Sequence, residues 1–304
     1  MAGLSNLANS AYVERLNRAI DHVLAHLDGP LRLDEIAAAA AFSPFHFHRI
    51  FRALTGETVN DFVRRLRLDR ALQMMAHRPG VRLTEVALAC GFASSSDFSR
   101  AFRQRHGVAP SRFDLAGHRR RQRDQLARAV RPDEPQRLAS LPEGDNPDGF
   151  AVRLVELPPR RLACLRVLRP YEGTGVMDAC TRLLAWAQAR GLAGGQWLGW
   201  QWEDPEVVPL EQCRYDVGLV VPEGAALDGA VHELRFPAMR VAELAIAGPI
   251  ELEMRALDWL FKTWLPRSGH VPDQQPGFEA WDGAPFAHGT EHFELRLQLP
   301  VVPH

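Results

Sequence analysis

The sequence predicts two domains: an all-α N-terminal domain with two helix-turn-helix motifs joined by a linker helix, and an α+β C-terminal domain with pseudo-twofold duplicated halves. Two observations predict this fold class. One helical pattern is repeated in the first part of the chain, and one order of strands and helix is repeated in the second half. The bounds that follow are residues 8–120 for the helical domain, 121–148 for a linker and 149–304 for the α+β domain.

The helical repeat covers residues 31–56 and 81–107. The copies align at an offset of 50 in their first halves and of 51 in their second halves. Each copy has the layout of a helix-turn-helix: a short Ala-rich helix, a tight turn, and a second helix with Ser43 or Ser94 as its N-cap. The matched pairs include Leu33 with Leu83, Glu35 with Glu85, Phe42 with Phe92, Phe47 with Phe98, Arg49 with Arg100 and Gly56 with Gly107.

Each second helix carries two stripes of residues at helical spacing. The apolar stripe, with Phe47 and Phe98 at equivalent positions, is expected to face the core. The other stripe holds arginines and hydrogen-bond donors, which suit the major groove of DNA and its flanking phosphates. For one such helix a solvated face is the alternative, but two helices with matching arginines favour nucleic-acid binding. This stripe comprises Phe45, His48, Arg49 and Arg52 in the first copy and Ser96, Ser99, Arg100 and Arg103 in the second.

Two further helices and a basic run complete the helical domain. Residues 8–28 predict an amphipathic helix that directs Tyr12 and Leu16 inward. Residues 58–75 predict a continuous connecting helix, which fixes the separation of two recognition helices at about one duplex turn, ~34 Å. The basic run at residues 117–131 either contacts phosphates or is a solvated surface, and the sequence leaves both interpretations open.

The paired motifs, the segment RRLRLDRALQMM between them and GVAPSRF after them resemble the DNA-binding domain of the AraC/XylS transcription regulators, over residues 10–120. The resemblance implies that each recognition helix enters a major-groove segment on one face of the duplex. It also implies double-stranded promoter DNA and RNA polymerase as partners. The base-reading positions carried over are Phe45, His48 and Arg49 in the first helix, and Ser95, Ser96, Ser99 and Arg100 in the second.

Residues 132–149 are dense in Pro, Gly, Asp and Glu, the composition of a flexible interdomain linker. The chain then reads twice as strand, strand, helix, strand, strand, which predicts an α+β domain with a groove between its halves. The predicted elements are strands around residues 150–168, a helix at 176–190, strands at 196–202, 215–221, 231–236 and 240–246, a helix at 250–264, and strands at 278–281 and 292–299.

The segments RPYEG, CRYDVGLVVPEG, WLPRSGHVPD, GFEAW and LRLQLPV resemble, in this order, the GyrI-like effector-binding domain. The resemblance covers residues 148–304. It implies a groove lined with aromatic side chains around a buried carboxylate, in which relatives bind small molecules, often aromatic cations, and some relatives hydrolyse a substrate. By position, Glu279 is the first candidate for this carboxylate and Glu294 is the second.

Aromatic residues supply the expected walls of this groove. Aromatic ring faces attract a cation by about 0.5 to 2 kcal/mol per contact, and a buried carboxylate adds charge selectivity because leaving it unpaired is costly. Ordinary core packing is the alternative for most of the seven tryptophans. The predicted effector-binding residues, with the two carboxylates, are Tyr171, Trp200, Trp202, Trp264, Phe278, Glu279, Trp281 and Glu294.

Composition limits the class of protein. Residues 1–131 hold 21 arginines against 12 Asp and Glu, a balance of +9, whereas the remainder holds 15 basic against 25 acidic residues, a balance of −10. The basic part suits a polyanion and the acidic part a cation. No apolar run reaches the roughly 18 residues that span a bilayer, and the N-terminus has no export pattern, so we expect a cytoplasmic protein without membrane contact.

The cysteines and histidines do not predict a metal site or a cofactor. Cys90, Cys164, Cys180 and Cys213 are widely separated, and no acidic residue between His22 and His26 completes a zinc-protease motif. We therefore expect no metal, no cofactor and no disulfide.

The predicted function is a sequence-specific transcription regulator whose C-terminal domain binds a small aromatic effector, and not an enzyme. Two alternatives stay open. The C-terminal domain could be a GyrI-like hydrolase that uses Glu279 and Glu294 as a general acid/base pair, or a drug-sequestering protein fused to a DNA-binding domain.

Overall fold

The computed structural model describes residues 2–78, 80–228, 231–273 and 275–304. The side chains of residues 1–11, 13 and 14 lie outside the described part. The chain divides into two compact units, Met1–Arg121 and Gln122–His304, here named the helical unit and the sheet unit. Each unit is described by itself.

The helical unit contains the two predicted helix-turn-helix motifs, formed by α2 with α3 and by α5 with α6. The connecting helix α4 lies between them in sequence, as predicted. Its N-cap Thr58 accepts a hydrogen bond from the Asp61 backbone N–H at 3.1 Å. The helices are α1 (Ala2–Ala25), α2 (Leu33–Ala39), α3 (Pro44–Thr55), α4 (Val59–His77), α5 (Leu83–Ala89) and α6 (Ser95–His106).

Paired phenylalanines form the core of each motif. Phe47 and Phe51 in α3 lie with ring centroids 5.5 Å apart, and Phe98 and Phe102 in α6 lie 5.6 Å apart. All four side chains are fully buried. The sequence repeat is therefore a repeat of the core.

The starts of the two recognition helices differ. Ser94 caps α6 by accepting a hydrogen bond from the Asp97 backbone N–H at 3.1 Å. Ser43 occupies the same position before α3, but its side chain makes no capping hydrogen bond. The helix begins instead with Pro44, whose fixed φ and missing N–H suit the first helical turn. Ser43 is thus the N-cap residue of α3, as predicted, but it does not cap the helix through its side chain.

The first helix differs from its predicted bounds and orientation. It begins at Ala2 rather than residue 8 and ends at Ala25. Tyr12, predicted to face inward, is 43% exposed and stacks on the ring of Phe42 at 5.8 Å. Its ring covers a neighbouring aromatic at the surface instead of entering the core, whereas Leu16 is buried as predicted.

The sheet unit is an antiparallel sheet with two helices, preceded by α7 (Leu115–Val130), which contains the boundary between the units. The second helix of the sheet, α9, continues as one π-helical turn over Leu260–Trp264. The elements are β1 (Arg153–Leu157), β2 (Arg160–Leu168), α8 (Gly175–Gln188), β3 (Trp197–Gln201), β4 (Arg214–Val220), β5 (His232–Phe236), β6 (Met239–Gly248), α9 (Ile250–Trp259), β7 (His270–Pro272), β8 (Phe278–Trp281) and β9 (Phe293–Pro303).

The strand order shows the predicted duplication. Across the described sheet it is β1-β6-β9-β8-β3-β4-β2-β5, and β7 pairs with β9. A half rotation about the junction of β3 and β8 exchanges β1 with β5, β2 with β6, β3 with β8 and β4 with β9. The pseudo-twofold arrangement is therefore confirmed, with the outer strands β1 and β5 each added to the opposite half.

The sheet curls and buries side chains on both faces. Phe236 of β5 and Phe278 of β8 are four strands apart in the order, yet their ring centroids lie 4.8 Å apart. Such a contact requires a strongly curved sheet, whose concave side we name the inner face. The other side, on which α8 and α9 pack, is the helix face.

Residues 122–148, which are nearly all of the predicted linker 121–148, make buried contacts within the sheet unit. Arg123 is 8% exposed; its Nε donates to the Leu138 carbonyl at 2.9 Å and its Nη2 to Asp258 Oδ2 at 3.1 Å. Asp258 of α9 also accepts from the Leu141 backbone N–H at 2.9 Å. Breaking a buried ion pair by removing one partner costs about 3 to 5 kcal/mol, so this segment, here named the connector, is held by α9 rather than being free chain.

Candidate functional site

The polar stripe of α3 lies on the side of the helix opposite its buried phenylalanines. Phe45 is 70% exposed, Arg49 and Arg52 are exposed, and His48 is half-buried. Because these residues recur at spacings of three and four, they share one helix face. That face combines two guanidinium groups, an imidazole and an apolar ring.

The corresponding stripe of α6 has a similar layout with smaller polar groups. Arg100, Arg103 and Ser96 are exposed, and Ser95 and Ser99 are half-buried. Ser95 and Ser96 occupy the first helical turn, where unpaired backbone N–H groups favour an anion such as a phosphate. The predicted DNA-contacting side chains therefore all lie at or near the surface of the helical unit.

Side chains of α4 tie the two motifs to one helix. Asp69 is 3% exposed and accepts from Arg105 of α6 at 3.2 Å and from Arg65 at 3.5 Å. Arg65 in turn donates to Glu57, just after α3, at 2.6 Å. Sequence reasoning missed Asp69, although an acid on the apolar stripe between Leu66 and Leu72 is a recognisable signal.

The predicted carboxylate Glu279 lies on the helix face, at the junction of the two halves; the residue is half-buried and its carboxylate lies below the surface. Its Oε2 accepts a hydrogen bond from the phenol of Tyr215 on β4 at 2.6 Å. Gly199 of β3 is directly opposite Glu279 in the strand register. A Cβ at Gly199 would lie 1.8 Å from the Tyr215 hydroxyl and 2.9 Å from Glu279 Oε2, so the hydrogen bond requires glycine at this position.

A second carboxylate, Glu253 of α9, faces the same region and is 6% exposed. Burial raises the pKa of Glu253 well above its usual value, and the charge of Glu279 raises it further. Burial likewise raises the pKa of Glu279 to about 7, against an opposing effect of the Tyr215 hydrogen bond. Among the described residues, neither carboxylate is ion-paired with an arginine, lysine or histidine.

Three more side chains surround Glu279. Burial, and then the charge of Glu279, raises the pKa of Cys180 on α8 to about 12. Tyr171 is half-buried as a residue, but its phenol lies below the surface and donates to Gln201 at 2.8 Å. The buried indole N–H of Trp281 lies near Glu279 and favours its charged form. This N–H makes no hydrogen bond within the described residues. The centre is therefore acidic, lined by aromatic rings, and contains an unused donor.

The structure does not bring all the predicted effector residues together. Phe278 precedes Glu279 in β8, and adjacent strand residues point to opposite faces. Phe278 and Trp200 are therefore in the inner core, each 1% exposed, with ring centroids 6.1 Å apart. Trp202 lies 6.4 Å from Trp200 and belongs to the same face. Grouping these three rings with Glu279 was wrong.

Glu294 and Trp264 also differ from the prediction. Glu294 alternates with Leu295 of the helix-face core and is partly exposed, with His292 at 3.2 Å and His288 at 3.7 Å. It therefore cannot form an acid/base pair with Glu279. Trp264 is half-buried in the π-helical turn after α9 and stacks on His270 at 6.1 Å.

Glu253 and Tyr215 were missed by sequence reasoning, although both interrupt apolar patterns. Glu253 precedes Ala256 and Leu260, which are buried, by one and two helical turns. Tyr215 alternates with buried Val217 and Leu219 on β4. An acid within an apolar helical stripe marks a buried titratable group, but the sequence does not show that Glu253 faces Glu279, because that depends on how α9 packs on the sheet.

Known families match this two-part layout. Residues 36–116 match a helix-turn-helix domain, and residues 150–302 match the GyrI-like small molecule binding domain, which accounts for half of the chain. The chain belongs to the GyrI-like family. The resemblance of the helical unit to the AraC/XylS DNA-binding domain is also confirmed.

Similarity to individual proteins extends over part of the chain. A probable transcriptional regulator, LumQ of Photobacterium leiognathi, is 37% identical over 105 residues, 34% of this chain and 42% of that protein. DNA gyrase inhibitor 2 of Dickeya dadantii is 41% identical over 78 residues, 26% of this chain and 49% of that protein. The solved DNA-binding domain of AdpA in complex with a target DNA is 28% identical, with a TM-score of 0.32, and covers 40% of this chain and 98% of that domain. The chain spans less than half the length of the curated relatives named here.

Within the described ranges, no group of three or more His, Cys, Asp or Glu side chains is arranged to hold a metal ion. The four cysteines are buried. A search of the described helices finds none both long and apolar enough to cross a bilayer.

The raised pKa of Glu279 predicts a pH-dependent stability. Because the pKa of about 7 in the folded state exceeds the usual 4.5, the folded state holds a proton on Glu279 more tightly than the unfolded state does. The resulting stabilisation is fully present below pH 4.5 and is lost as the pH rises through 7. In chemical denaturation between these pH values, Glu279→Gln is expected to lose less stability than the wild type. Glu294→Gln, which removes a more exposed carboxylate, should follow the wild type. Identical curves for the wild type and Glu279→Gln would contradict the assignment.

Proposed function

We propose that this chain is a ligand-responsive transcription regulator: the helical unit binds a bipartite DNA site, and the GyrI-like domain binds a small aromatic cation that changes transcription. The observation that carries the proposal is the buried pair Glu279 and Glu253, which has no cationic partner among the described residues, in a chain that also presents two arginine-bearing helices.

The DNA-binding part of the proposal is supported by the matching stripes of α3 and α6. Arg49 and Arg100 occupy equivalent positions in the repeat, both are exposed, and a bidentate arginine–guanine contact is the most common specific contact in the major groove. The flanking Arg52 and Arg103 suit phosphates, which position a protein on DNA without reading its sequence. RNA polymerase stays a predicted partner on the family resemblance.

The effector part of the proposal is supported by the cost of burying negative charge. Two buried carboxylates without a cation favour retaining a proton, and a bound cation would offset their charge instead. The rings of Tyr171, Tyr215 and Trp281 add faces on which a cationic or aromatic group can pack. We therefore favour an effector with one positive charge and an aromatic body.

A route for the response follows from α9. Glu253 of this helix faces Glu279, whereas Glu251 and Asp258 of the same helix bind the connector through Arg131 at 3.1 Å and Arg123 at 3.1 Å. A ligand acts through its different affinities for two states of the protein. We propose that a cation at Glu253 and Glu279 shifts α9, and that the connector follows because its arginines are bonded to that helix.

A second candidate function is hydrolysis, favoured by the pKa of Glu279 near 7, which suits a general acid or base. The predicted partner Glu294 is on the other face, so Glu253 would take its place. Turnover by the chain that disappears in Glu279→Gln would favour this function. Drug sequestration, the other alternative, would leave promoter output unchanged when the cation binds. We propose regulation because LumQ, one of the relatives, is named as a probable transcriptional regulator.

The DNA interface is tested by the double variant Arg49→Ala with Arg100→Ala. Each lost base contact is worth about 1 to 3 kcal/mol, so binding to DNA selected by the wild type should weaken by at least about tenfold. The footprint should shrink at both half-sites. The matched control is Arg169→Ala with Arg240→Ala, which removes the same charge from the sheet unit. An unchanged footprint in the first double variant would refute the assignment of the recognition helices.

The effector site is tested by thermal shift with phenyltrimethylammonium and its neutral analogue tert-butylbenzene. The cation is expected to stabilise the chain by RT ln(1 + [L]/Kd), and the neutral molecule less, because only the cation offsets the buried charge. Glu279→Gln should remove the difference between the two probes, and Glu294→Gln should retain it. A preference for the cation that survives in the double variant Glu279→Gln with Glu253→Gln would contradict the proposed site.

The route through α9 is tested with Asp258→Asn, which weakens the bond to Arg123 and keeps the side-chain size. The thermal shift caused by phenyltrimethylammonium should persist, whereas the effect of the cation on DNA affinity should fall towards none. Asp133→Asn, in an exposed part of the connector, should leave both measurements unchanged. If the effect on DNA persists fully in Asp258→Asn, the signal does not pass through this contact.

A further inference from the structure

One arginine of α4 lies between the turn that follows α1 and the turn of the second motif. Arg67 Nε donates to the Leu27 carbonyl at 3.0 Å, and its Nη2 donates to the Gly29 carbonyl at 2.5 Å. These carbonyls belong to the turn between α1 and the first motif, where helical hydrogen bonding has ended. The side chain is half-buried and its donors are directed into the protein.

The turn of the second motif packs against the same guanidinium. Gly91 lies between α5 and α6 with φ of 77°. A Cβ at Gly91 would lie 2.9 Å from Arg67 Nε and 2.4 Å from the Leu27 carbonyl oxygen. The backbone of the second motif therefore approaches the end of α1 more closely than any residue with a side chain allows.

The repeat itself shows that this glycine serves the contact between motifs. The residue equivalent to Gly91 in the first motif is Ala41, whose φ of 52° is also left-handed. The turn thus tolerates a Cβ in the first copy. Glycine is needed in the second copy because Arg67 and Leu27 occupy the space that a methyl group would take.

Acidic residues on both sides reinforce the position of Arg67. Burial lowers the pKa of this guanidinium, and the charges of Asp97 in the first turn of α6 and of Asp28 after α1 oppose that effect. Asp97 belongs to the second recognition helix and Asp28 to the scaffold of the first motif. The charge of Arg67 therefore acts on both motifs.

An open groove between the motifs makes these few contacts important. It has a volume of about 200 Å³ and is lined by Ile36 of α2, Val63 and Arg67 of α4, and Asp97 and Ala101 of α6. Because side chains do not fill this space, the two motifs do not pack directly on each other there. The contacts at its wall, with the ion pairs of Asp69, hold the motifs at their angle.

We propose that Arg67 is a positioning residue that fixes α3 relative to α6 and so determines which separation of DNA half-sites the chain reads. The inference rests on the proposed DNA-binding function and adds a specificity determinant that does not itself touch DNA. Linked binding modules gain affinity only when both can engage at once. If one motif could rotate about α4, each motif would bind its half-site as before. The chain would lose the gain in affinity that comes from binding both half-sites at once.

The experiment uses the full chain and DNA selected from a random pool by the wild type. Affinity is measured for the selected site, for versions with either half-site scrambled, and for versions with one base pair added to or removed from the spacer. Arg67→Met, which keeps the apolar stem, is expected to weaken binding to the intact site by about tenfold through lost linkage. Affinity for each single half-site should stay within about twofold of the wild type, and the variant should distinguish less between spacer lengths.

Two further variants and a measurement separate positioning from folding. Arg67→Lys keeps one charged donor and should recover part of the spacer preference. Arg78→Met removes an exposed arginine at the end of α4 and should retain all of it. Thermal unfolding reports whether each variant is folded. An unchanged spacer preference in Arg67→Met, or an equal loss at single and paired half-sites, would overturn the proposal. Failure of the wild type to select a bipartite site would instead overturn the proposed DNA-binding function.

Discussion

The hydrogen bond between Tyr215 and Glu279 constrains the centre of the sheet unit. It can form because Gly199, opposite Glu279 in the register, leaves space that a methyl group would fill. The bond crosses the junction of the two halves, since β3 and β4 belong to one half and β8 to the other. The duplication thus produces a site that neither half contains. One half supplies the carboxylate, and the other supplies the phenol and the glycine that leaves space for the hydrogen bond.

The same constraint explains how far the sequence could predict the site. The motif predicts Glu279 as the central carboxylate, and its side chain lies on the helix face beside Tyr215. Phe278, its neighbour, could have been excluded, because side chains alternate across a strand. Trp200 and Trp202 do share a face as predicted, but nothing local indicates that the curl of the sheet makes it the inner one. The curvature involves contacts between distant strands, such as Phe236 with Phe278. No single segment of the sequence therefore predicts it.

In the helical unit the sequence predicted more, because the repeat compares one copy of a motif with another. Positions that agree, such as Phe47 with Phe98, belong to the core of each motif. Positions that disagree show what is specific to one copy. Ala41 and Gly91 differ although both adopt left-handed φ, and that difference marks the place where the second motif meets the end of α1. The individual motifs could thus be predicted from their pattern, whereas the contact between them depends on Arg67, whose partners are backbone atoms about 40 residues away in the chain.

The net positive charge of residues 1–131 overstates the charge that is available to bind DNA. The sequence of the basic run at residues 117–131 allows phosphate contacts or a solvated surface, but Arg123 and Arg131 form ion pairs within the sheet unit instead. They bind Asp258 and Glu251 of the acidic half, so part of the positive charge that seemed available to a polyanion is neutralised within the sheet unit. The exposed arginines of α3 and α6 are a better measure of affinity for DNA than the net charge is. The same ion pairs make α9 the element shared by the connector and the carboxylate pair.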